Sequence, residues 1–417
     1  MKLLPNLVYR AAWVGGLAAA SPAILLAAMR DRWQVRRRLW PERSNASAPS
    51  WWWHGASAGE VRALGVFWSA LSWQGEAWFT VVSATTSAGG EMWGRLRIGD
   101  EEPHILPVDL PFAWERIMPR PSPRMVVLSE AELWPSWLSW LKRRACPVAV
   151  VSARLSALAA ERLASWHLLD EACDNLYVAA QTETDAGAFR TLGVPEEQLA
   201  VTGSLKWPRR PLAVPEAVRT RLGFAPDEPV LVAGSLHRSE LAPVVAVVRE
   251  LRVRFPDLRC ILAPRKTGDV AYAERLAKDA SLPVERWSAV SRRGTACSSA
   301  VLLVDTMGDL ATLYAAGSVA VIGGSWEPIG GHNPFEAAVY GMPVVYGPDM
   351  RQPGCELLEQ TGQAKRLTEG WTGLLEALAE RIMRPPRCSF PRYADPVEAT
   401  WKAWRRWGLA PEGASVV

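Results

Sequence analysis

Trp51-Trp52-Trp53-His54-Gly55-Ala56-Ser57-Ala58-Gly59-Glu60 passes from an apolar run through small residues into a helix-like segment with an acid in its first turn. A short run that is apolar on both faces reads as a buried parallel strand. Small residues at its end let a ligand come close to the backbone. A carboxylate in the turn beyond, Glu60, either takes a proton from an incoming hydroxyl or complements the helix dipole. Spacing leaves both readings open.

The same grammar recurs along the chain. Further apolar runs at Trp78–Ser83, Met125–Ser129, Val148–Ser152 and Leu176–Ala180 alternate with helix-like stretches. A second series follows at Val230–Gly234, Arg259–Ala263, Val301–Asp305, Val319–Gly323 and Pro343–Tyr346. Alternation of this kind predicts an α/β protein with two doubly wound, Rossmann-like domains, whose ligands sit in a cleft lined by loops at the strand carboxyl ends. Lys206-Trp207-Pro208-Arg209-Arg210-Pro211 cannot continue a helix and is taken as the start of a linker over 206–212. The domains are then expected at 44–205 and 213–392. Asp395 to Trp407, with Trp401, Trp404 and Trp407 on one helical face, is expected to pack back on the body within a C-terminal segment over 393–417.

Composition narrows the class. The 417 residues carry 47 Lys+Arg against 43 Asp+Glu, with 49% hydrophobic and 22% charged residues, so the chain is globular and long enough for more than one domain. Residues 11–29 are uncharged, about the length of a membrane span, and residues 30–43 hold six Arg and two acids. That local +4 equals the formal net charge of the whole chain, so the basicity is a collar beside an apolar segment and not a nucleic-acid surface. A membrane anchor with its collar over 1–43, on anionic lipid of the inner membrane, is expected, and no nucleic-acid partner. Six cysteines and five histidines are scattered singly, which points to buried thiols and to no metal site. The 22 Trp are far above ordinary usage; several fall where membrane-interface or sugar-binding aromatics could sit.

Two more segments carry chemistry. Leu128-Ser129-Glu130-Ala131-Glu132-Leu133-Trp134-Pro135 puts two carboxylates directly after a buried strand, where one can stabilise positive charge on a sugar carbon or both can cap the next helix. Gly323-Gly324-Ser325-Trp326-Glu327-Pro328-Ile329-Gly330-Gly331-His332-Asn333-Pro334-Phe335-Glu336 reads as a loop and helix start suited to phosphate and ribose. Asp305-Thr306-Met307-Gly308-Asp309, Gly234-Ser235-Leu236-His237 and Ala263-Pro264-Arg265-Lys266 stand at other strand ends, and the Arg265 fork suits a phosphate or carboxylate. Walker A, dinucleotide GxGxxG and GxSxG patterns are missing, which removes the main support for kinase, dehydrogenase and serine-hydrolase readings.

With these motifs in this order, together with PVDLP at 107–111, the SARLS run at 152–156 and the VTGSLKWP, GSLHRSEL, APRK, VDTMGDL and AVYGMPVVYGP strings, the chain resembles the bacterial 3-deoxy-D-manno-octulosonic acid (Kdo) transferases of lipopolysaccharide assembly. The resemblance implies a GT-B fold, a CMP-Kdo donor, inversion without metal or cofactor, and a lipid A precursor as acceptor at the cytoplasmic face of the inner membrane. Carried over, Glu60 matches the proton acceptor, and Glu130 and Lys206 match the transition-state stabilisers. Pro264 and Arg265, Met307, Gly308 and Asp309, and Asn333, Pro334, Phe335 and Glu336 match the CMP-binding segments. Lys266, Trp326, Glu327, Ile329 and Asp349 depart from the family pattern. A GT-B nucleotide-sugar epimerase and a transferase of a related ulosonic acid are the alternatives.

Overall fold

The computed structural model describes residues 8, 9, 11, 12, 14, 15, 35–46, 50–73, 79–209, 211–383 and 395–416. The chain divides into two compact units, Met1–Lys206 with Ala394–Val417, and Trp207–Tyr393.

The first unit is built on a seven-stranded parallel sheet. Its strands are β1 (Ser50–His54), β3 (Phe79–Ala84), β4 (His104–Ile105), β5 (Met125–Ser129), β6 (Val148–Ala153), β7 (Leu176–Ala180) and β8 (Leu199–Val201), in the order β4-β3-β1-β5-β6-β7-β8. β1 pairs with β3 and β5, Trp52 lying level with Val81 and Val126. Alternation along the strand sends Trp51 and Trp53 to one face and Trp52 to the other. Trp51 and Trp53 join Phe67 and Trp404 in one core; Trp52 joins Trp114 and Trp137 in the opposite one. Trp114 and Trp137 stack with ring centroids 4.6 Å apart. Part of the tryptophan excess is thus core filler: Trp51, Trp52, Trp53, Trp93, Trp114, Trp137 and Trp404 are all fully buried.

The helix Pro396–Arg406 starts at Asp395, whose carboxylate accepts from Val397 N at 2.9 Å, with Pro396 at its first position. It buries Trp401 and Trp404 in the first unit, and β16 (Ala414–Val416) pairs antiparallel with β2 (Leu71–Trp73).

The second unit holds another seven-stranded parallel sheet. It comprises β9 (Val230–Leu236), β10 (Arg259–Pro264), β11 (Val284–Arg286), β12 (Val301–Leu303), β13 (Val319–Ile322), β14 (Val344–Tyr346) and β15 (Ala364–Arg366), in the order β11-β12-β10-β9-β13-β14-β15. Trp207 enters this core, its ring 4.3 Å from that of Phe335 and nearly parallel. Lys206 still belongs to the first unit, so the chain crosses between units within one peptide.

Both sheets start in the middle and build outward in two directions, so strand order reverses between β1 and β5 and again between β9 and β13. Crevices beyond the carboxyl ends of strands at such reversals are where open α/β sheets bind ligands. All ten runs expected as strands are strands. Of the six missed ones, all only two or three residues long, β4, β8, β11 and β15 are the edges of the two large sheets, and β2 and β16 pair in a sheet of their own. An edge strand is not buried on both sides and need not carry a continuous apolar run.

Among the described residues no helix is long and apolar enough to cross a membrane, and the expected anchor over 11–29 lies mostly outside them. One collar residue serves the interior instead of a lipid surface. Arg38, on the short helix Val35–Leu39, donates to the carbonyls of Leu106 (3.2 Å) and Thr85.

Candidate active site

At the β1/β5 reversal the sequence fixes three carboxylates in three different ways. Ser57 caps the helix Ala58–Ala70, and its hydroxyl donates to Glu60 Oε1 at 2.8 Å while Ala56 N donates to Oε2 at 3.0 Å. The Glu60 side chain thus curls back over the helix start. Burial pushes its pKa above the ordinary value; the two hydrogen bonds oppose this, and the charges of Glu130 and Glu132 add to it. A carboxylate with raised proton affinity is suited to general base work.

Glu130 follows β5 in the left-handed region, at φ +58°, where a non-glycine residue is strained. Its N–H donates to Val151 O at 3.1 Å, and its Oε1 accepts from Lys206 Nζ. The two predicted stabilisers therefore form an ion pair, within the first unit.

Glu132 behaves otherwise. Its Oε2 accepts from Thr85 Oγ1 (3.0 Å), Trp134 Nε1 (3.0 Å) and the ring of His54 (Nε2, 3.4 Å). Burial alone would raise its pKa, yet the His54, Trp134 and Thr85 bonds hold it down to about 2. His54 is fully buried, its Nδ1 2.9 Å from Ser83 Oγ, which also accepts from Trp52 Nε1 at 2.7 Å. Sequence reasoning placed Glu130 and Glu132 together; that Thr85, on the turn after β3, and His54 would divide them had no local signal.

The remaining predicted residues stand at the carboxyl ends of the second sheet. Pro264 closes β10, and Arg265 N donates to Leu236 O at 2.7 Å while its side chain is exposed. After β12, Met307 is exposed, Gly308 takes φ +94°, and the Asp309 carboxylate accepts from Trp287 Nε1 (3.0 Å) and Thr306 Oγ1. After β13, Asn333 Oδ1 accepts from Phe335 N at 3.0 Å, Pro334 precedes the short helix Phe335–Ala338, and Glu336 lies in its first turn. Burial raises the Glu336 pKa, with Asn333 and Arg265 opposing. The Phe335 ring is core, stacked on Trp207, so only its backbone is available to a ligand.

Many amides of the glycine-rich loop are bonded within the protein. Gly324 N and Trp326 N donate to Glu240 at 2.8 and 3.2 Å, and Gly330 N to Asp349 Oδ2 at 2.8 Å. Gly323 N, Gly331 N and His332 N donate to the carbonyls of Gly234, Gly324 and Gly323. His237 and His332 meet Nε2 to Nε2 at 2.9 Å, so one proton is shared between them. Burial, with Arg265 and His237 nearby, lowers the His332 pKa to about 4. Two departures from the family pattern have structural work. Asp349 pins Gly330 and pairs with Arg351, and Trp326 stacks 4.3 Å from Trp371. Among the described residues no cluster of His, Cys, Asp and Glu could hold a metal ion.

Residues 31–209 match the family model described as 3-deoxy-D-manno-octulosonic-acid transferase (kdotransferase). The chain is 33% identical over 383 residues to the 3-deoxy-D-manno-octulosonic acid transferase of Bordetella pertussis, spanning 87% of this chain and 84% of that one. It is 31% identical over 305 residues to the same-named protein of Haemophilus influenzae, spanning 70% and 69%. Among solved structures, UDP-GlcNAc 2-epimerase from Neisseria meningitidis covers 87% of this chain at a TM-score of 0.56 and 12% identity, a likeness of fold alone. Fold is thus shared with epimerases, but sequence is shared with transferases, and the chain belongs to the Kdo transferases, glycosyltransferases of lipopolysaccharide biosynthesis.

Proposed function

We propose that the protein transfers Kdo from CMP-Kdo to the glucosamine disaccharide of the lipid A precursor (lipid IV-A), with inversion and without a metal, on the cytoplasmic side of the inner membrane. Glu60 takes the proton from the acceptor hydroxyl. The hydroxyl oxygen bonds to the anomeric carbon of Kdo as the bond from that carbon to the CMP phosphate oxygen breaks. CMP leaves as an anion. The oxocarbenium-like state in between is stabilised by Glu130, held in place by Lys206. On the donor side Arg265 takes the phosphate or the Kdo carboxylate, and Pro264, Met307, Gly308, Asp309, Asn333, Pro334, Phe335 and Glu336 form the CMP-binding segments. Exposed Arg36, Arg37 and Arg43 lie against anionic lipid.

The observation that carries this reading is the Glu60 carboxylate, fixed at a sheet reversal by Ser57 and Ala56 with its proton affinity raised. The test incubates the protein with CMP-Kdo and tetraacyl disaccharide 1,4′-bisphosphate in EDTA and follows CMP release and glycolipid mass. One CMP released per Kdo added is expected. CMP release that ignores the acceptor overturns the reading.

A further inference from the structure

The two carboxylates after β5 are two residues apart, yet only one is matched by a cation. Glu130 is neutralised by Lys206. Glu132 faces none except through His54, and all three of its donors converge on one oxygen, Oε2. Among the described residues its Oε1 has no partner, and the side chain is 23% exposed, so that oxygen opens outward from an otherwise buried group.

The donors also fix the direction of the group. The Trp52 indole can only donate, so Ser83 Oγ accepts from it. His54 Nε2 faces a carboxylate and must carry the proton there, which lets Ser83 donate to Nδ1. This buried chain, with Thr85 and Trp134, locks Oε2 inward. Thr85 is followed by Thr86, which bonds the Ala56 carbonyl through both N and Oγ1 at 2.9 Å, and Ala56 N holds Glu60. Glu132 and Glu60 are thus tied to the same short run of backbone.

We infer that Glu132 is a substrate-contacting residue of the first unit, its outward Oε1 accepting a hydrogen bond from a hydroxyl of the sugar acceptor and so presenting the neighbouring hydroxyl to Glu60. This rests on the proposed transfer to a glucosamine disaccharide. The group stays ionised throughout the working pH range, so it serves as a fixed acceptor and not as a base.

Glu132→Gln tests it. The Gln carbonyl can stay where Oε2 is, accepting from Trp134, Thr85 and His54, while an NH2 that cannot accept replaces Oε1. The acceptor KM is expected to rise roughly 10- to 100-fold, the range for a lost bond to a charged group, with the donor KM unchanged. Among acceptor disaccharides lacking single hydroxyls, one should show the same loss with the unaltered protein and no further loss with Glu132→Gln. If the Gln variant does not fold, Glu132→Asp reads the same parameter, since it keeps the charge but withdraws it by one bond. An unchanged acceptor KM, or two KM values rising together, overturns the role of Glu132. An unaltered protein that ignores the disaccharide overturns the transfer reading and this inference with it.

Discussion

Glu240, in the first turn of the helix Arg238–Arg254, accepts a 2.8 Å hydrogen bond from the backbone N–H of Gly324 in the loop after β13. The same carboxylate accepts from His237 N at 2.8 Å and Trp326 N at 3.2 Å, and it is completely buried. A protein anion therefore fills the place beside a helix start and a glycine loop where a nucleotide phosphate often sits. Its loss would orphan three backbone donors, each at a cost of about 1–3 kcal/mol. Glu240→Ala is expected to lower the melting temperature markedly and weaken CMP binding, read by calorimetry on the full chain. Wild-type CMP affinity in a destabilised variant would detach the loop from donor recognition.

Gly324 itself tolerates no side chain. It sits at φ +70°, and a Cβ there would lie 2.9 Å from the His332 ring. Gly324→Ala should cost about 1–3 kcal/mol in backbone strain and displace His332 from His237. Nuclear magnetic resonance titration of the two imidazoles checks this: the His332 pKa, held near 4, should move up toward its ordinary value once the ring is pushed out. An unmoved titration would show that the pair survives.

For Glu60, a general base works only when deprotonated, so kcat/KM should rise with pH through its pKa. Burial and the charges of Glu130 and Glu132 raise that pKa, which puts the acid limb above the usual glutamate range. Glu60→Gln should lower kcat by about 10²-fold or more with donor affinity intact. Removing the charge in Glu132→Gln should shift the acid limb to lower pH. A limb that stays put would mean the Glu132 charge does not reach Glu60.

Much of the fold is legible in the sequence because each central strand is a short, doubly buried run that ends in small or acidic residues. The site is legible to the same depth. Glu60 follows β1, the Glu130/Glu132 pair follows β5, and the glycine-rich loop follows β13, each as local strings. What separates Glu130 from Glu132 is not local, because Lys206, Thr85 and His54 come from other strand ends and meet these carboxylates only once the sheet order is set. The committed amides of the glycine-rich loop are hidden for the same reason, since Glu240 lies 84 residues from Gly324.

Glu132 also links pH to stability. Its folded pKa of about 2 lies below the unfolded value, so its contribution is complete above roughly pH 4.5 and fades as pH falls toward 2. At about 1.4 kcal/mol per pKa unit, that contribution is roughly 3 kcal/mol. The stability gap between the unaltered protein and Glu132→Gln should therefore narrow between pH 5 and 2, as measured by urea unfolding. A gap that is constant with pH would show that the carboxylate is not held ionised.

Arg38 separates two truncations that otherwise look alike. Deleting residues 1–34 removes the uncharged stretch and part of the collar but keeps Arg38, whose guanidinium bonds the Thr85 and Leu106 carbonyls. Deleting 1–40 removes that strut as well, and Val108 N loses its bond to Arg38 O at 3.1 Å. If the N-terminal stretch is the anchor, both forms should leave the membrane fraction, while the full chain should resist extraction by high salt alone. Both forms lose the Tyr9 hydroxyl bond to the buried Asp109 at 3.1 Å, and the shorter form should lose more stability. Bonds to a charged group are worth about 1.5–3 kcal/mol each, so its melting temperature should fall by several degrees relative to the 1–34 deletion. Its activity should fall too, because Thr85 carries the hydroxyl that holds Glu132. Equal melting curves for the two truncations would make Arg38 an ordinary collar charge.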